Sequence, residues 1–134
     1  MHEGMKRREG WESWPDWFRH TFPPAPIYMD EYQSFAAKTS GAYGKGQGRV
    51  LWVTLALCGE VGEFANLVKK KYNHGHNIPL SVFAIELGDI SWYVAELASA
   101  LGLSLLEIAR ANIQKLRARY PQGFSKDTSI NRNN

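Results

Sequence analysis

A chain of 134 residues is one domain's length and can bury a core without disulfide or metal staples. Its 44% apolar and 22% charged content excludes wholesale disorder, and a net charge of +3 is too small a basic excess to point to nucleic acid. The single cysteine, Cys58, excludes a disulfide framework and fits a reducing compartment; inside an apolar run it reads as a small buried filler.

No signal-peptide core opens the chain, and no run of roughly 18 or more apolar residues is expected to cross a membrane, so a cytoplasmic protein is expected. Residues 1–27 form an aromatic and proline-rich arm. Trp11, Trp14, Trp17 and Phe18 are spaced as on one face of a short helix, with Pro15 among them. Pro23, Pro24 and Pro26 make a stiff extended connector. Such an arm either lies on the body or a neighbouring subunit, or serves as a lid or partner-binding segment.

Residues 28–124 read as helical throughout. Asp30 is placed to cap a first helix, with Gln33 completing a capping box and Tyr32, Phe35, Ala36 and Thr39 at helical spacing. The glycine-rich stretch 40–48 lacks the Gly-Lys-Ser/Thr of a phosphate-binding loop. A second helix is expected from about Val50 to Tyr72, apolar nearly all round in its first half and therefore buried, with Lys69, Lys70 and Lys71 at its C-terminus. His74 and His76 fall in the following loop and read as solvated. A third helix is expected from about Leu80 to Leu101, stopped by Gly102, with a core stripe of Phe83, Leu87, Ile90, Val94, Leu97 and Leu101. Ser104 and Glu107 form a capping box for a fourth, ending near Tyr120 before Pro121. Its core stripe is Leu105, Ile108, Leu116 and Tyr120. Residues 125–134 are a polar, frayed tail. No segment alternates with period two, so the predicted fold is all-α and bundle-like, with four helices.

Two places break the pattern of a plain bundle. Glu60 and Glu63, and then Glu86 and Asp89, are acidic pairs three residues apart, so each projects from one helix face. Gly59, Gly62 and Gly88 lie beside them inside helices, at roughly 1 kcal/mol each relative to alanine. Like charges one turn apart also repel. Residues 64–85 separate the pairs, enough for one helix to end and an antiparallel neighbour to begin. Four carboxylates facing one another suit a hard divalent cation, Mg2+ with Mn2+ as a substitute, rather than zinc. The glycines would let a second helix or a ligand approach closely. Tyr93 and Glu96 extend this face along the third helix. On the fourth helix Asn112, Lys115 and Arg119 form one stripe, which near a metal site suits polyphosphate oxygens.

The pattern Glu-x-x-Glu, a gap of about twenty residues, then Glu-x-x-Asp resembles the all-α nucleoside triphosphate pyrophosphohydrolases of the MazG superfamily. The resemblance extends through ALCGEVGEFANLVKK, ELGDISWYVAELASALGLSLLEIA and ANIQKLRARYPQGF, from about Met29 to Phe124. It implies hydrolysis of a (deoxy)nucleoside triphosphate to the monophosphate and pyrophosphate. Glu60, Glu63, Glu86 and Asp89 then hold the metal, and Glu60 and Glu63 act in catalysis, Glu63 orienting the attacking water or taking its proton. Asn112, Lys115 and Arg119, with Tyr93, fall on the phosphate side. By position Tyr32, Gln33 and Trp52 fall near the base. Trp52 offers a stacking face, with core packing as its alternative role. The resemblance also implies a homodimer or homotetramer and a nucleotide-pool cleaning role. Relatives strict about the base, such as dUTPase-like or dCTPase-like enzymes, and a phosphoribosyl-ATP pyrophosphohydrolase use similar acids. A non-catalytic helical interaction module would explain the arm but not the acidic pairs. A ferritin-like di-iron bundle needs Glu-x-x-His, which neither Glu60 nor Glu86 begins.

Overall fold

The structure, a computed structural model, describes residues 27–41 and 46–130. The aromatic positions Trp11 to Phe18 and the proline connector lie outside the described residues. Five α-helices and no strand are found among those described: α1 (Met29–Thr39), α2 (Gln47–Val68), α3 (Leu80–Ala100), α4 (Leu105–Arg119) and a short α5 (Lys126–Ile130). The all-α expectation holds.

The helix ends follow local chemistry. Tyr28 is extended, and its N–H donates to Glu31 Oε2 at 3.4 Å, so the cap of α1 lies two residues before the expected Asp30. Glu31, not Gln33, supplies the reciprocal carboxylate. Gly46 enters α2 with φ +60, in the left-handed region that glycine tolerates. Beyond Val68 the helix widens into a π turn, Lys69–Asn73, which carries Lys70 and Lys71 at the negative end of the dipole. Gly102, at φ +70, closes α3: its N–H donates to Ser99 O, and Leu103 N–H donates to Ala98 O. That reciprocal pair is the Schellman arrangement. Ser104 Oγ accepts from Glu107 N–H at 3.3 Å, as the expected cap of α4 requires. The tail does not simply fray; α5 forms after a turn with Gly123 at φ +86.

Helices α2 and α3 run antiparallel along their length. Phe64 meets Phe83 edge-on at 5.7 Å, Trp52 meets Tyr93 at 6.1 Å, and Arg49 meets Glu96 at 2.7 Å. Helix α1 lies across the second half of α3, where Ala36, Ala95 and Leu105 are buried with Tyr32 and Trp92 packed against them. Trp92 Nε1 donates to Thr39 Oγ1 at 2.7 Å, tying the two helices. Helix α4 packs on α1 and leaves α3 at a bend of 103°.

Gln33 locks this corner. Its Nε2 donates to Ser99 Oγ at 3.0 Å and to Leu103 O at 2.8 Å, and its Oε1 accepts from Leu105 N–H at 2.7 Å. Gln33→Ala is expected to destabilise the fold by about 2 kcal/mol, because it orphans the backbone N–H of buried Leu105. Chemical denaturation reads this directly; an unchanged midpoint would refute the clamp.

Several burial expectations are corrected. The apolar first half of α2 is not a buried helix in the single chain. Val53 is buried, but Leu51 and Leu55 are 63% and 64% exposed, and Cys58 is exposed too. On α3 the buried residues are Ser81, Phe83, Ala95, Glu96 and Ala98, whereas Leu87, Val94 and Leu101 are exposed. The helix is rotated because it seats small residues against α1 and gives its acidic and aromatic face to α2. On α4, Leu105 is buried but Ile108 and Leu116 are exposed, because the helix runs out past α1. The helix from Gln47 to Asn73, 27 residues, also proves long and apolar enough to cross a membrane by length and composition alone. It pairs with α3 along that length and carries Glu60 and Glu63 toward it.

Candidate metal and nucleotide site

One seam between α2 and α3 collects the polar residues. Positions 49, 52, 60 and 63 of α2 are separated by steps of three, eight and three residues, and 86, 89, 93 and 96 of α3 by steps of three, four and three. Such steps keep each set on one face. Because the helices are antiparallel, Glu60 and Glu86 fall level. Glu63 lies one turn beyond them, and Asp89 one turn to the other side.

The side chains of Glu60, Glu63 and Glu86 converge. One carboxylate oxygen from each lies within 4.8 Å of the others. Asp89 stands outside that triad but close enough for its charge to act on Glu60 and Glu86. Burial pushes the Glu60 carboxyl above the ordinary carboxylate range, and the charges of Glu63, Asp89 and Glu86 push it the same way. Glu86 is raised for the same reasons, burial first, then Glu63 and Asp89. Such repulsion is what a bound cation would relieve. The donor set fits a hard cation: it holds carboxylates only, with no imidazole or thiol.

The raised carboxyls fix a pH dependence. A carboxyl whose folded pKa exceeds its unfolded value binds more protons in the folded state between those two values. Stability therefore falls as pH rises through that window and is higher at its acidic end. Without metal, the melting temperature is expected to rise as pH falls from neutrality into the window just above the usual carboxylate pKa. Added Mg2+ or Mn2+ should lift the neutral-pH value instead. A melting curve flat in both variables would contradict the cluster.

The glycines beside the acids do not serve close approach within the chain. A Cβ built on Gly59, Gly62 or Gly88 meets nothing within 4 Å among the described residues. The expectation that they admit a second helix fails for the single chain: Gly59 and Gly62 are exposed on α2, and Gly88 borders the groove between α1 and α3 without a close neighbour at its Cβ position.

The other predicted residues separate into groups. Tyr32 reaches the acidic end of the seam: its hydroxyl donates to Gly88 O at 3.5 Å. Burial, and then the charge of Asp89, raises the Tyr32 phenol above its usual value, so it stays a donor. It lines an apolar groove of about 580 Å³ between α1 and α3, with Tyr28, Ile90, Val94 and Leu105. Trp52 and Tyr93 are half-buried and form the aromatic middle of the seam, with Trp92 edge-on to Tyr93 at 4.8 Å. Gln33 is not brought to the acids. It sits at Ser99, ten residues along α3 from Asp89, a rise of about 15 Å, with its amide engaged in the α3–α4 corner. Asn112, Lys115 and Arg119 are exposed on α4, and none joins the acids of its own chain by an ion pair or hydrogen bond among the described residues. The bend of α4 away from α3 is the reason. His74 and His76 are exposed, their rings 6.2 Å apart.

Sequence reasoning missed Arg49, and it gave Glu96 only a place on the acidic face. Arg49 donates to Glu96 Oε2 at 2.7 Å, and the Glu96 side chain is wholly buried. The available signal was the seven-residue step from Asp89 to Glu96, which keeps both on one helix face.

The family model for the MazG nucleotide pyrophosphohydrolase domain matches residues 50–124. That span contains all four acids, Trp52, Tyr93 and Glu96, and begins one residue after Arg49. The chain is also 33% identical over 114 residues to the Gene 37 protein of Mycobacterium phage L5, covering 79% of this chain and 100% of that protein. No solved structure matches. A helical pair that brings carboxylates together at this spacing, matched over more than half its length, makes the chain a member of the MazG nucleotide pyrophosphohydrolase domain family.

Proposed function

We propose that the protein is a Mg2+-dependent nucleotide pyrophosphohydrolase that cleaves a (d)NTP to the (d)NMP and pyrophosphate. The observation that carries this reading is the triad of Glu60, Glu63 and Glu86, drawn within 4.8 Å in a chain of this family. These three, with Asp89 beside them, would hold the metal. When bound, it supplies charge neutralisation for the phosphoryl oxygens and a more acidic water. Glu63, exposed at the end of the triad, orients the attacking water and accepts its proton. Trp52 and Tyr93 bind the nucleoside, Trp52 by stacking, and Tyr32 keeps its proton to donate near Gly88.

Helix α4 contributes only if a second copy supplies it. Asn112, Lys115 and Arg119 are exposed and point to a phosphate-binding role across a homo-oligomer interface. The exposed Leu51, Leu55, Ile113 and Leu116 support such an assembly, since apolar exposure on this scale marks an interaction surface. A cytoplasmic nucleotide-pool cleaning role belongs to the same reading.

The test is release of pyrophosphate and monophosphate from a panel of canonical and modified NTPs and dNTPs, with Mg2+, with Mn2+ and with EDTA. Metal-dependent pyrophosphate release establishes the activity. A single preferred base would mark a base-specific enzyme, and a flat profile a broad cleaning enzyme. No turnover of any member by folded protein would refute the proposal.

A further inference from the structure

The seam between α2 and α3 does not stop at the aromatic pair. One turn before Trp52 on α2 lies Arg49, and one turn after Tyr93 on α3 lies Glu96. The order from one end is acids, aromatics, ion pair. From Asp89 to Glu96 the rise along α3 is about 10 Å. A nucleotide held by its phosphates at the acids and stacked at Trp52 would therefore turn the outer edge of its base toward Arg49.

The pair is an unusual structural bridge. Glu96 is 0% exposed, and its Oε1 has no hydrogen-bond partner among the described residues. A buried carboxylate left half-satisfied is weak evidence of a stabilising role. It does fix the arginine. One guanidinium N–H group is tethered to Glu96 Oε2, while the side chain of Arg49 remains 29% exposed. Its remaining N–H groups have no partner among the described residues.

We propose that Arg49 is the base-reading residue of this site and that Glu96 is the positioning residue that aims it, a deepening that rests on the nucleotide reading above. Guanidinium donates and cannot accept. It therefore pairs with base edges that present carbonyl or ring-nitrogen acceptors, such as O6 and N7 of guanine or O4 of uracil. The exocyclic amino groups of adenine and cytosine meet it donor to donor. The site is assigned to nucleotides of keto bases in preference to amino bases.

The test uses the monophosphates GMP, UMP, AMP and CMP, which carry no anhydride bond to hydrolyse, titrated by calorimetry into the full-length protein with Mg2+. Wild type is expected to bind GMP and UMP about tenfold tighter than AMP and CMP. Arg49→Met combined with Glu96→Leu removes both charges, so the fold is not left with an unpaired buried carboxylate, and should bring the four affinities within about twofold. Glu96→Leu alone leaves Arg49 present but untethered and should lose most of the preference. Equal affinities in wild type, preference retained in the double variant, or no binding of any monophosphate would overturn the proposal. Preference retained by Glu96→Leu would remove Glu96 from it. Base preference without pyrophosphate release from the triphosphates would sink the hydrolase reading and leave this one standing; release with no base preference would do the reverse.

Discussion

Glu63→Gln and Asp89→Asn are each expected to lower pyrophosphate release by more than about 100-fold while leaving the fold intact. The effect is electrostatic and local. Glu63 is exposed, and its carboxylate lies within 4.8 Å of those of Glu60 and Glu86. An amide of the same shape removes one negative charge from the cluster and disturbs no packing. The charge of Asp89 acts on Glu60, Glu86 and Tyr32, so it belongs to the same field although it stands outside the triad. Relief of like-charge repulsion should leave the metal-free melting temperature unchanged or raise it. The stabilisation that Mg2+ or Mn2+ gives the wild type should shrink in both variants, because that gain depends on ligand concentration over Kd. Turnover retained in both would refute the role of these acids in holding the metal.

Arg49→Met is expected to produce the largest loss of stability, roughly 4 kcal/mol, because it strands the Glu96 carboxylate in the core. The second substitution, Glu96→Leu, should recover most of that loss, because removing both charges also removes the desolvation cost. The non-additivity is the diagnostic. Urea unfolding of the two single variants and the double variant measures it. Equal losses that simply add would mean that Arg49 and Glu96 act independently and that the 2.7 Å contact carries little energy.

The acids, the caps and the helix order were legible in the sequence because each depends on spacing within one segment. Glu60 with Glu63, and Glu86 with Asp89, fall on one face by the period of the helix, whatever surrounds them. Ser104 finds the N–H of Glu107, and Gly102 takes φ +70 to stop α3, because both act within one turn. The start of α1 was displaced by two residues because Glu31 reaches back to Tyr28 and leaves Gln33 for the α3–α4 corner. That choice is made by partners 66 to 72 residues away.

The meeting of the acidic faces and the burial of Phe83 and Leu105 were legible too, but which apolar residues lie inside mostly was not. An apolar run such as VLWVTLALC predicts burial but not its partner, and in the single chain Leu51 and Leu55 stay exposed. The stripe of Leu87, Val94 and Leu101 has the same helical period as the buried set of α3. Small Ala95 and Ala98 were seated instead because α1 packs closely there. The sequence by itself determined an all-α chain with two acidic pairs on two helices and a cationic stripe on another, since local periodicity and composition carry that much. Only the tertiary structure decided that Glu60 and Glu86 are level, that Arg49 is held by Glu96, and that the exposed α4 cations make no ion pair with the acids of their own chain among the described residues. Those relations are set by the antiparallel register of α2 on α3 and by the angle at the α3–α4 corner, and packing fixes both.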